Sequence, residues 1–193
     1  MKKFEFTAEY ETNIFGKKLF RIKALVAFGD VEEGDLGGFI EKESNLGNDG
    51  NAWVYGDAQV YGDARVSGDA RVSGDAWVYG DAQVYGDAQV YGDARVYGDA
   101  RVSGDARVSG DARVYGNLDY ATVGGFGSEQ RTSTFFIRKD GAIGVICGCF
   151  CGTIEQFRAK VKETHKDSKY AQEYLMIADL MELHFAGGKD DER

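Results

Sequence analysis

AWVYGDAQVYGDARVSGDARVSGDAWVYGDAQVYGDAQVYGDARVYGDARVSGDARVSGDARVYG, residues 52–116, repeats every six residues, and this period decides the fold. Valine recurs at 54, 60, 66, 72, 78, 84, 90, 96, 102, 108 and 114, with alanine two residues before each. Six matches neither a helical face nor a coiled-coil heptad, whereas a short strand followed by a turn fits it. Residues two apart on a strand share a side, so Ala and Val point one way and their flanking residues point the other. The Gly-Asp that follows makes the corner, because glycine lacks the Cβ restriction and aspartate bonds nearby backbone amides. Each hexad is one strand and one corner, with Ala and Val stacked inward.

The V-Y/S-G-D-A-x unit resembles the hexapeptide repeat of left-handed parallel β-helices, in which three hexads make one triangular coil. The left-handed winding is what the resemblance implies. Ile40 and Leu46 keep the valine phase upstream, with two residues inserted within 47–51, while Leu118 and Tyr120 occupy the Ala and Val slots downstream. The expected solenoid therefore runs over 38–123, about four coils. An 18-residue coil sorts the outward residues onto three faces. The first carries Trp53, Arg71, Gln89 and Arg107 with Tyr55, Ser73, Tyr91 and Ser109; the second carries Arg65, Gln83 and Arg101 with Ser67, Tyr85 and Ser103. The third carries Gln59, Trp77, Arg95 and Arg113 beside an unbroken column of Tyr61, Tyr79, Tyr97 and Tyr115. Tyr, Trp and Arg concentrate at buried protein contacts, and proteins resembling this fold are commonly side-by-side homotrimers. Tyr61, Trp77, Tyr79, Arg95, Tyr97 and Tyr115 are thus the candidate oligomer interface, the alternative being an aromatic ladder facing water. The aspartates from Asp57 to Asp111 stack at the corners, where they either serve the turns or bridge through cations.

A parallel solenoid leaves open edges that need caps. Over 1–37, Phe4 and Phe6 alternate with Lys3 and Glu5, Asn13 to Gly16 punctuates, and Leu19 to Phe28 reads as a second strand, giving a capping hairpin. Over 124–193 the composition changes. Thr132–Lys139 and Ala142–Phe150 read as strands around an Asp140-Gly141 turn, Thr153-Ile154-Glu155-Gln156 spells a capping box opening a helix to His165, and Ser168 begins a second. Tyr170, Tyr174, Ile177, Leu180, Met181 and His184 fall near helical spacing on it. The fold class is mainly β: a left-handed parallel β-helix with an N-terminal hairpin cap and a small C-terminal α+β (ββαα) head. The stretch ALVAFGDVEEGDLGGFIE resembles the entry segment of uncharacterised phage and bacterial hexapeptide proteins, some labelled polymer-forming cytoskeletal. GSEQR at 127–131 and GCFCGTIEQF at 148–157 resemble the C-terminal segment found with the same phage-type repeats, and no established reaction accompanies that resemblance.

Composition narrows the function. The 193 residues are 43% hydrophobic, with 27 glycines and no proline, which suits folded units and excludes collagen-like or Pro-rich chains. A net charge of -9 argues against a grip on nucleic-acid phosphates. No apolar run reaches the roughly 18 residues of a membrane span, and Glu5, Glu9 and Glu11 interrupt any leader, so a cytoplasmic protein with no membrane partner is expected. Three cysteines, Cys147, Cys149 and Cys151, lack a disulfide framework; on one strand they would share a face, as small core thiols or with one acting as nucleophile beside His165.

Hexapeptide acyltransferases place a general-base histidine near the coils, but both histidines here, His165 and His184, lie in the predicted helices. Two histidines cannot supply a three-histidine zinc site. No catalytic residue, metal or cofactor is therefore assigned. Ser128, Arg131 and Thr132 offer backbone amides, hydroxyls and a guanidinium in one loop, suited to phosphate or carboxylate. Arg138, Lys139, Tyr170 and Tyr174 add charge and stacking, so these seven form the candidate ligand site. A surface loop with Arg131 paired to Glu129 or Glu155 is the plainer alternative. The expected role is non-enzymatic: an oligomer sequestering a small phosphorylated or nucleotide-like metabolite, such as a host immune signal. The alternatives are a scaffold whose heads bind a protein, or a hexapeptide-type acyltransferase.

Overall fold

The computed structural model describes residues 2–186; Met1 and residues 187–193, which the sequence reading assigns to the cap and head, lie outside the described residues. The hexads form eleven two-residue strands, β4 (Trp53–Val54) through β14 (Arg113–Val114), wound as a parallel solenoid of about four coils. Strands 18 residues apart pair in register, Val54 with Val72, Val66 with Val84 and Val60 with Val78. The three resulting ladders are the three faces read from the sequence. Every repeat Ala and Val is fully buried, and each valine contributes roughly 1.5 to 3 kcal/mol. The corners require glycine twice over. Gly86 has φ +70°, and a Cβ on it would lie 3.0 Å from the Gly104 amide nitrogen one coil on.

The first coil carries the predicted insertion. Ile40 pairs with Val60 and Leu46 bridges Val66, 20 residues apart, and both are buried. Buried Asn45 fastens the coil to the next one, its Nδ2 donating to the carbonyls of Gly62 and Ala64 at 3.1 and 2.8 Å. The Lys3 ammonium donates to the Ala52 and Gly50 carbonyls at 2.8 and 3.3 Å, closing the lower edge.

The cap is β1 (Phe4–Thr12) and β2 (Lys18–Ala24), with β3 (Leu36–Ile40) joining β2 antiparallel and β5 (Gln59–Val60) parallel. The hairpin therefore extends the third face into a seven-stranded sheet. Its second strand stops at Ala24 rather than Phe28, because Phe28 turns back to bridge Val31 and packs on Trp53. Trp53, outward by its place in the hexad, is only 1% exposed, enclosed by Phe4 and Phe28.

The parallel ladder ends at β14. Leu118 does not fill an alanine slot; it is 70% exposed, and Tyr120 belongs to β15 (Tyr120–Val123), which pairs antiparallel with β16 (Ser133–Ile137). The reason lies in the turn after Gly116, where the Asp119 carboxylate accepts from the Tyr115 and Gly116 amides at 2.9 and 3.1 Å and reverses the chain. Other free edge amides of the last coil are met by side chains: Arg101 N–H by Asn117 Oδ1 at 2.8 Å and Arg107 N–H by Thr134 Oγ1 at 2.9 Å.

The head adds β17 (Ile143–Cys147), β18 (Phe150–Thr153), α1 (Ile154–His165) and α2 (Lys169–Ala186). Its sheet has four strands, two more than the predicted hairpin. Phe136 and Ile146 on one side complete the solenoid core, while Phe135 and Val145 on the other pack against the helices. The capping box forms as read: Thr153 Oγ1 accepts from Gln156 N at 3.4 Å and Gln156 Oε1 from Thr153 N at 2.9 Å. No helix among the described residues is long and apolar enough to cross a membrane.

Candidate functional site

Tyr174 organises the loop before β16. Gly127, at φ +74°, donates its N–H to Glu173 Oε2 at 2.9 Å, and any Cβ there would run into the Tyr174 ring. Tyr174 is 6% exposed, edge-on to Phe157 at 5.7 Å and 5.5 Å from His165. Burial, then Cys147, pushes its hydroxyl pKa up, while a hydrogen bond with Ser128 pulls it down. Arg131 is exposed, 3.4 Å from Glu129, its guanidinium beside Gly148. Ser128, Tyr174 and Arg131 thus border one loop. Thr132 sits where the loop enters β16, against Gly124, and Tyr170 is 43% exposed, edge-on to His165 at 6.3 Å.

Arg138 and Lys139 lie elsewhere. They follow β16, whereas Arg131 precedes it, a separation of roughly 20 Å along an extended chain. Arg138 makes a two-pronged pair with Asp111 of the last coil, Nε–Oδ1 2.8 Å and Nη2–Oδ2 3.3 Å, and its guanidinium holds the Asp111 carboxyl below the usual range. The Lys139 amide donates to the Asp111 carbonyl at 3.0 Å. The seven candidate residues do not converge on one pocket, because the head spends Arg138 on fastening itself to the solenoid.

On the third face Tyr61, Tyr79 and Tyr97 stack with centroids 5.0 and 5.1 Å apart, and Tyr115 meets Tyr97 edge-on at 5.3 Å. Arg95 covers the Trp77 ring at 4.3 Å. Arg113 is braced by the carbonyls of Asp93, Asp111 and Ala112 at 3.0, 3.1 and 2.7 Å. Tyr61 leaves the candidate interface: it is 3% exposed, packed with Leu19 and Phe39 under Phe15, and burial pushes its hydroxyl pKa up. The hairpin turn that does this reads in the sequence only as punctuation from Asn13 to Gly16. Beside the tyrosines an open groove of about 520 Å³ runs from Glu11 of the hairpin, over Trp77 and Arg95, to Lys139 of the head.

The cysteines are spread over β17, its turn and β18 rather than sharing a strand face. Cys147 lies against Tyr174, Cys151 is 3.8 Å from Ser109 Oγ, and Cys149 and Cys151 are exposed, so two of the three are not core thiols. His165 packs on Tyr174 and His184 on Phe185. Among the described residues no group of three or more His, Cys, Asp or Glu side chains could hold a metal ion.

Sequence reasoning missed the outer face of α2. Ala171, Tyr174, Ile177, Ala178, Met181 and Phe185 face the core, while Met176, Leu180 and Leu183, at i, i+4 and i+7, are 69, 55 and 72% exposed on the opposite side. Leu180, though near helical spacing with Tyr174 and Ile177, lies on this outer side. The signal was available in LMIADLMELHF, which is apolar on two sides of a helix.

A protein-family profile described as the YdcK beta solenoid repeat matches residues 58–70, 64–80, 70–86, 88–104 and 106–117. The solenoid is therefore similar to that repeat over its central coils. No curated protein matches the chain.

Proposed function

We propose that the protein works by binding rather than catalysis, as a rigid β-solenoid that holds up a C-terminal head for a protein partner. The observation that carries this reading is α2, apolar on two opposite faces with one of them uncovered. Asp179 and Glu182 border that stripe, two carboxylates sharing the single Arg158 guanidinium at 2.7 and 2.8 Å, and the chain carries net charge -9. The fitting occupant is an amphipathic helix of another protein, apolar at i, i+4 and i+7 and flanked by Lys or Arg. A photo-crosslinker at Leu180, followed by mass spectrometry, tests this. The expected product is a peptide of that chemistry, lost in Met176→Glu/Leu183→Glu; crosslinks unaffected by that double variant would sink the idea.

A second reading is favoured by the loop shared by Ser128, Arg131 and Tyr174, where hydroxyls and an exposed guanidinium border a glycine-rich backbone. It is capture of a small phosphorylated metabolite, as in a phage-encoded sponge for a host signal. Protein incubated with a metabolite extract, washed and denatured should then release a stoichiometric phosphorylated compound, and Arg131→Ala should release none. The six-residue valine period with three strands per coil supports membership of the hexapeptide class, and with it left-handed winding.

A further inference from the structure

The third face is stepped. At its N-terminal end the turn between β1 and β2 stands over the first coils, with Phe15 6.2 and 6.3 Å from the Tyr61 and Tyr79 rings. That turn presents Ile14 and Phe15 to solvent, 73 and 60% exposed. At the other end the face is an open ledge, with Tyr115 60% exposed beside half-buried Tyr97. Charge follows the step. Near the turn, Lys17 is engaged by Glu41, and Arg21 by Glu9 and Asp57, while Arg95 lies back over Trp77 in the coil of Asp75, leaving Glu11 as the acid in excess. On the ledge, Asp111 is taken by Arg138, leaving Arg113 and Lys139 beside Asp93, with Asp99 at the far corner next to Gly116.

We propose that this face docks a second copy of the same chain, antiparallel, about a two-fold axis lying across the solenoid. The operation reverses the order of the coils and keeps each column in line. The projecting turn of each copy then sits on the ledge of the other, Ile14 and Phe15 over Tyr97 and Tyr115, and Glu11 beside Arg113 and Lys139. Knob meets recess and acid meets base at both ends, so the contact is self-complementary and closes as a dimer. Copies aligned parallel would set turn against turn and acid against acid, which opposes the side-by-side trimer that the repeat's resemblance implies.

Sedimentation of the full chain tests this. The expected particle has twice the 21.2 kDa chain mass at about 100 µM and dissociates on dilution and with salt. Ile14→Lys and Tyr115→Asp each alter an exposed side chain and should keep the circular dichroism spectrum while weakening association at least about tenfold. Mixing these two variants should re-form a dimer, since one copy of each leaves one contact native and sets Lys against Asp in the other. A monomer at every concentration, a particle of three chains, unchanged mass in both variants, or a mixture that stays monomeric would each overturn the proposal.

Discussion

Lys3 is a cation held where water cannot reach it well. Its ammonium lies 4.6 Å from the Phe28 ring centroid and donates to two backbone carbonyls, yet burial lowers its pKa to about 8 from 10.5. Between those values the unfolded chain binds more protons than the folded one, so stability rises with pH through that window. The tyrosines act in reverse: burial, then the Asp30 hydrogen bond, lifts Tyr55 to about 12, and stability falls once unfolded tyrosines ionise near 10. Thermal melts from pH 7 to 11 should therefore climb before they drop, and in Lys3→Met the climb should vanish. Gly127 gives a second test at this scale. Gly127→Ala combines a left-handed φ with a collision against Tyr174, and should cost about 1–3 kcal/mol, read by denaturant unfolding followed at the head's aromatics.

Between elements the decisive joint is the one where β16 leaves the last coil. Asp111 and Arg138 hold the head by charge while Phe136 and Ile146 hold it by burial, and the half-exposed ion pair is the smaller share. Asp111→Asn should cost about 1 kcal/mol and raise protease sensitivity between the last coil and the head, without loosening the coils. Because the folded Asp111 pKa is depressed, the pair's contribution is present above the unfolded carboxylate value and fades as pH falls through the folded one. Inside the ladder the cost is of another kind. Val84→Ala empties part of a fully buried column and should cost about 2 kcal/mol by chemical denaturation.

Across the whole molecule, legibility follows repetition. The coils could be read because each valine's environment is set by the same valine 18 residues away, and even the first coil's two-residue insertion showed itself as a slip in phase. The facing of Trp53, the cover over Tyr61 and the fate of Leu118 could not, because each depends on a unique segment meeting the repeat from far along the chain. The split of the candidate ligand residues has the same origin: Arg131 and Arg138 are close in sequence, but a strand carries them apart. Deleting residues 81–86, one hexad, should leave a folded protein with near-normal circular dichroism, yet turn the hairpin and the ledge onto different faces. That variant should be monomeric in sedimentation; one that stays dimeric would mean the step on the third face is not the contact.

A hexad is a third of a turn, and eleven nearly identical ones stand in a row. Tandem copies are where replication gains and loses units most readily, and each such event here is an indexing step. One unit re-aims the head by a third of a revolution relative to the hairpin; three restore its heading and change only the reach, by one strand spacing of about 4.8 Å. The chain is built so that gaining or losing one unit turns a dial.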